Sequence, residues 1–124
     1  MSERIFLLTF ALMLTGCLAL FAVHQPGEGV RPSLAQQWGC DYEEVMREAE
    51  RARQELGPGE NWIPEVGWTV CELLSWVGAP QEVDLQQTPY GRSASWWYRT
   101  DRDVHLVTVE LREDGRWVVD YVGW

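Results

Sequence analysis

The stretch Gly67-Trp68-Thr69-Val70-Cys71-Glu72-Leu73-Leu74-Ser75-Trp76-Val77-Gly78-Ala79-Pro80 constrains the fold more than any other, because it marks both ends of one short helix. Thr69 stands where an N-cap can accept from the backbone N–H of Glu72, and Glu72 can reach back to the N–H of Thr69, which is a capping box. Leu73, Leu74, Trp76 and Val77 follow as an apolar stripe at helical spacing. Gly78 tolerates the left-handed conformation that ends many helices, and Pro80 prevents the helix from resuming. Periodicity alone would suit any buried helix. The order of cap, stripe and stop is more specific, and the remainder of the chain must supply a surface that this stripe can cover.

The chain has 124 residues, which leaves room for one domain. Its formal net charge is −9 and it contains no lysine. Such a chain is repelled by nucleic-acid phosphates and by anionic lipid surfaces, so nucleic acid is excluded as a partner and membrane attachment requires an anchor. The apolar run Ile5 to Gly16 has the length of a signal-peptide core and ends in Leu14-Thr15-Gly16-Cys17. That ending resembles the bacterial lipobox. The resemblance implies a signal peptide over 1–16 and a lipid on Cys17. The rival reading is an uncleaved transmembrane anchor, since no charge interrupts Ile5 to Val23 and about 17–25 apolar residues suffice to cross a bilayer. Either way the folded part lies outside the cytoplasm, facing the periplasm or the exterior. Residues 17–40 then form the lipidated cysteine and a flexible tether, for which Pro26, Gly27, Gly29 and Pro32 speak; Trp38 near its end is placed to dock on the domain.

The domain proper is expected over 41–124. Asp41 and Glu44 cap a helix whose face Tyr42, Val45, Met46, Ala49, Ala52 and Leu56 is apolar and whose other face is charged; Gly57-Pro58-Gly59 ends it. Gln81 to Ala94 is polar, with Pro89-Tyr90-Gly91 as a turn. The period then changes to two. Ser95 to Thr100, His105 to Leu111 and Arg116 to Val122 read as strands, with Glu113-Asp114-Gly115 as a hairpin turn. The fold class is α+β, two helices packed on one face of a three-stranded antiparallel sheet, which satisfies the layer rule.

Two motifs, the Val66-Gly67-x-Thr69 helix with its Gly78-x-Pro80 stop and the aromatic strand Trp96-Trp97-Tyr98, resemble the SmpA/OmlA (BamE-like) family of small bacterial outer-membrane lipoproteins. The resemblance covers roughly Val66 to Val122. It implies the same ααβββ layout, a place in the cell envelope and a role in outer-membrane protein assembly. Secreted β-lactamase-inhibitor proteins have a similar layout, so fold alone does not fix function.

Chemistry-bearing patterns are sparse. His24 falls in the tether and His105 at a strand start, and no metal-ligating, phosphate-cradling or nucleophile-elbow pattern occurs. The reading is therefore a non-catalytic module that needs no cofactor or metal and binds an envelope protein. The competing classes are a tethered or secreted inhibitor of a hydrolase and an aromatic-stacking binder of glycan or small ligand. Once Cys17 carries lipid, Cys40 and Cys71 remain, and an even pair in an exported small domain points to a disulfide; the alternative is two buried thiols. Most of the eight tryptophans belong in a core, because each buries on the order of 150–250 Å². Trp62, Trp68 and Trp124 are further candidates for an aromatic patch. Strict alternation places Val107, Val109, Leu111, Trp117, Val119 and Tyr121 under the helices. It leaves Leu106, Val118 and Val122, with one of Trp96 or Trp97, on the open face as the partner-binding patch, rimmed by Glu110 and Asp120.

Overall fold

The computed structural model describes residues 24–57, 60–100 and 102–124. The expected signal peptide, the lipidation site Cys17 and the alternative membrane anchor lie outside the described residues. Among the described residues no helix is long and apolar enough to cross a membrane.

The described elements are α1 (Pro32–Gln37), α2 (Tyr42–Glu55), α3 (Val70–Trp76), β1 (Glu82–Thr88), β2 (Gly91–Arg99), β3 (Val104–Leu111) and β4 (Trp117–Gly123). The strands form one antiparallel sheet in the order β1-β2-β3-β4. The α+β class therefore stands, but the sheet has four strands where three were expected. The polar segment after α3 is itself a strand, and Pro89-Tyr90 turns it back onto β2. β1 is an edge strand exposed along nearly its whole length, so burial imposes little apolar alternation on it.

α3 begins as its sequence dictates. The Thr69 hydroxyl accepts from Glu72 N–H and the Glu72 carboxylate accepts from Thr69 N–H, both at 3.2 Å. Of its expected stripe, Leu73, Leu74 and Val77 enter one core with Ala94, Trp96 and Tyr98 of β2, Val107 and Val109 of β3, and Val119 of β4; Val70 joins them, whereas Trp76 is half-buried against Trp62 and Trp68. α2 packs along α3. Its cap differs in detail from expectation: the Asp41 carboxylate accepts from Glu43 N–H at 3.1 Å. Asp41 and Thr69 bring two helix starts together, and the Cys40–Cys71 disulfide joins them with a Cα–Cα distance of 5.6 Å. Closing a loop of 31 residues in the unfolded chain is worth about 3–4 kcal/mol in the chain-entropy model.

The expected flexible tether is corrected over 24–40. His24, Pro26, Val30, Ala35 and Trp38 are buried, and 32–37 is helical. The glycines that suggested flexibility permit close packing instead. At Gly27 a Cβ would stand 2.7 Å from the Cβ of Ala49 on α2. At Gly78 φ is +109° and a Cβ would meet the Gln25 carbonyl oxygen at 2.8 Å. The turn at 25–30 thus lies against the stop of α3, where Ala79 N–H also donates to the Glu28 carbonyl at 2.8 Å.

A second correction concerns β4. Thr108 pairs with Tyr121 but Val109 pairs with Val119, so Asp120 is an extra residue. Such a bulge reverses alternation on its far side. Val119 and Val122 both reach the helix side, where Val122 packs on the core, while Tyr121 turns outward and is 54% exposed.

Candidate functional site

The register fixes what each face of the sheet presents. On the helix side Trp96 lies opposite Val107, and Val107 opposite Val122. Trp96 is fully buried, edge-on to Trp38 at a centroid distance of 4.9 Å, and Trp38 is edge-on to Trp117 at 5.2 Å. Of the expected patch, Trp97 is the tryptophan that lies on the open face, and two of the three aliphatics, Val122 and Val118, are corrected. Trp96 belongs to the core because even-numbered residues of β2 face the helices. Val122 joins that side through the bulge. Val118 does face outward, opposite Glu110, but it is only 7% exposed because Gly67–Thr69 runs along the free edge of β4. Gly67 N–H donates to the Val119 carbonyl and Val119 N–H to the Trp68 carbonyl, each at 2.8 Å, and Thr69 bridges to Val118.

Trp97 and Leu106 remain on the outer face, directly opposite each other, and Leu106 is opposite Gly123. The absence of a side chain at Gly123 is filled by the Tyr121 ring: a Cβ there would lie 3.1 Å from Tyr121 Cε1. Trp97, Leu106 and Tyr121 thus make one apolar strip across three strands. Strict alternation had put Tyr121 on the covered side. The signal that could have revealed it is the pair Val118-Val119 followed by Asp120, two apolar neighbours and then a charge, which a regular half-buried strand does not contain.

Acids surround the strip. Glu82 lies opposite Trp97 and pairs with Arg99 at 2.8 Å. Glu110 pairs with Arg112 at 3.2 Å. Asp120 accepts from the Thr108 hydroxyl. Asp84, opposite Ser95, has no partner among the described residues. The strip has an apolar centre and a charged rim, the make-up of a protein-docking surface.

The other aromatic candidates do not converge. Trp62 and Trp68 both pack on Trp76, and the Trp62 indole N–H donates to the Ala52 carbonyl at 3.2 Å, so they brace the helix layer. Trp124 lies elsewhere, stacked on His105 at 4.3 Å and tilted on Tyr98. Tyr98 is buried on the helix side; its hydroxyl donates to the Gly78 carbonyl at 2.9 Å, and burial pushes its pKa well above the ordinary range. His24 packs edge-on to Tyr98, and burial lowers its pKa; His105 lowers it further, while Glu28 and the Arg99 backbone oppose the shift. Among the described residues no cluster of three or more His, Cys, Asp or Glu is placed to hold a metal ion.

No protein-family model matches the chain, and neither a curated protein nor a solved structure does.

Proposed function

We propose that this chain is a non-catalytic, membrane-anchored lipoprotein of the bacterial cell envelope that binds a protein partner through the outer face of its sheet. The observation that carries the reading is the strip of Trp97, Leu106 and Tyr121. It is an apolar surface continuous across β2, β3 and β4, left open by a helix layer that covers only the opposite face. The capping box, the stop at Gly78 and the aromatic strand fit the BamE-like resemblance, and with it a role in outer-membrane protein assembly.

The test uses the intact anchored protein, purified in detergent from cell envelopes, beside Leu106→Lys. Co-purification of envelope-assembly proteins with the parent chain, lost in the variant, supports the proposal. Recovery of one hydrolase whose activity falls on binding would favour the inhibitor class instead. The anchor is tested separately by Cys17→Ser, since lipidation requires the sulfur. Loss of lipid label and accumulation of uncut precursor support the lipoprotein. Unchanged size and membrane fraction would favour the transmembrane anchor.

A further inference from the structure

The two edges of the sheet are finished differently. Backbone hydrogen bonds from Gly67–Thr69 close the edge at β4. Among the described residues, β1 has a strand on one side only. Edge strands in natural proteins are commonly blunted by proline, by lysine, by a bulge or by shortness. β1 lacks proline, lysine and a bulge: it is seven residues long and pairs with β2 in unbroken register from Glu82 to Thr88, and its charges are the two acids Glu82 and Asp84, which repel an acidic strand but not a basic one.

Its side chains divide sharply. Glu82 and Asp84 point to the outer face, and Val83 and Leu85 to the helix side, where Leu85 is 61% exposed. Beside Leu85 the helix layer ends short of the sheet corner and leaves a groove of about 480 Å³, whose walls include Trp38, Trp117, Gln87 and Arg92. No carboxylate lines it, whereas three other concavities hold Glu44 and Glu72, Glu113 and Asp114, or Glu110.

We propose that β1 is a receiving edge for an extended segment of a partner protein. Glu82 is already paired with Arg99, so the segment is basic at the position beside Asp84 and apolar at those beside Leu85. Strand addition satisfies the unpaired backbone groups of β1 and gives affinity without regard to sequence. Side chains of the added strand alternate between faces, so one set meets Asp84 and the other covers Leu85 and enters the groove. A basic partner is favoured over a second copy because each copy carries a net charge of −9. The acids Glu82 and Asp84 also rim the Trp97–Leu106–Tyr121 strip, but the backbone edge of β1 and the groove beside Leu85 are not part of it, so Leu106→Lys tests the strip without touching the edge.

The probe is a synthetic, end-capped peptide of alternating lysine and valine, titrated into the full-length protein in detergent while β1 amide shifts and tryptophan fluorescence are followed. Binding is expected to move β1 resonances, to weaken as salt rises and to fall at least about tenfold in Asp84→Lys. It should persist in Leu106→Lys. The same peptide N-methylated at alternate residues keeps its charge but loses the donors of one edge, and it should not bind. Absence of binding by the parent peptide overturns the proposal. So does equal binding of the N-methylated peptide, which would mean charge attraction without strand addition, or formation of a dimer through β1 in its place.

Discussion

Trp96 and Trp97 are consecutive residues of β2, and the sheet sends them to opposite environments. Trp96 has no exposed surface and contacts Trp38 across the helix layer. Trp97 is half-buried on the other side, beside Leu106, with no helix over it. The same residue type thus serves stability on one face and, on the other, stands in the strip for which recognition is proposed. What differs is the layer above it: α1, α3 and the docked turn at 25–30 close one face, and nothing described here closes the other. A small domain cannot spare many large side chains from its core. An apolar strip kept on the open face is therefore informative in a way that scattered surface apolars are not.

The contrast can be broken first at its buried member. Trp96→Ala should cost about 3–5 kcal/mol, the range for emptying a buried aromatic site, and a urea melt should show loss of most of the folded population. Removing the covalent tie between the helix starts comes next. The Cys40→Ser and Cys71→Ser double variant should lose about 3–4 kcal/mol, and reduction of the parent protein should reproduce the shift. Gly78→Ala should cost at least about 1–2 kcal/mol, because the residue is held at positive φ and faces the Gln25 carbonyl. That variant should also free the 25–30 turn, which hydrogen exchange at Val30 and Ala79 would report.

A smaller effect is expected from pH. Burial holds the folded-state pKa of His24 below its ordinary value of 6.5, so the unfolded chain binds the proton more tightly. The corresponding stability is complete above about 6.5 and is lost as pH falls through the lowered folded value. Thermal melts over that window should decline on the acid side, and His24→Phe, which keeps a ring against Tyr98, should flatten the decline.

How much of this the sequence disclosed depended on how tightly burial constrains each element. The ends of α3 were legible because its cap and stop each have a separate chemical signature; its stripe was legible except that Val70, not Trp76, is in the core. β3 and the second half of β2 were legible because the middle of one face is buried, which enforces alternation; the first residues of β2, Gly91 to Ala94, were read as polar loop. β1 was missed although Val83 and Leu85 alternate with Glu82, Asp84 and Gln86, because two apolar residues on an exposed edge are a weak signal. The 24–40 segment was misread because glycine and proline serve both loose linkers and turns that pack too closely for a side chain. Only the positions of Ala49 beside Gly27 and Ala79 beside Gly29 separate the two cases. On the outer face one residue, Asp120, decided the outcome: the bulge exchanged Tyr121 for Val122. The edge contact of Gly67–Thr69 then removed Val118 from the exposed patch, a long-range pairing with no local signal.

The most direct test of the division between faces is a double variant, Trp97→Ser with Leu106→Lys, studied in parallel for stability and for partner capture. Both side chains are only half-buried and lie on the uncovered face. The expected result is a stability change under about 1 kcal/mol by urea melt, with co-purification of the envelope partner abolished. Cooperative unfolding of the double variant at a loss comparable to Trp96→Ala, or capture of the partner undiminished with the fold intact, would contradict the assignment of the outer face to recognition.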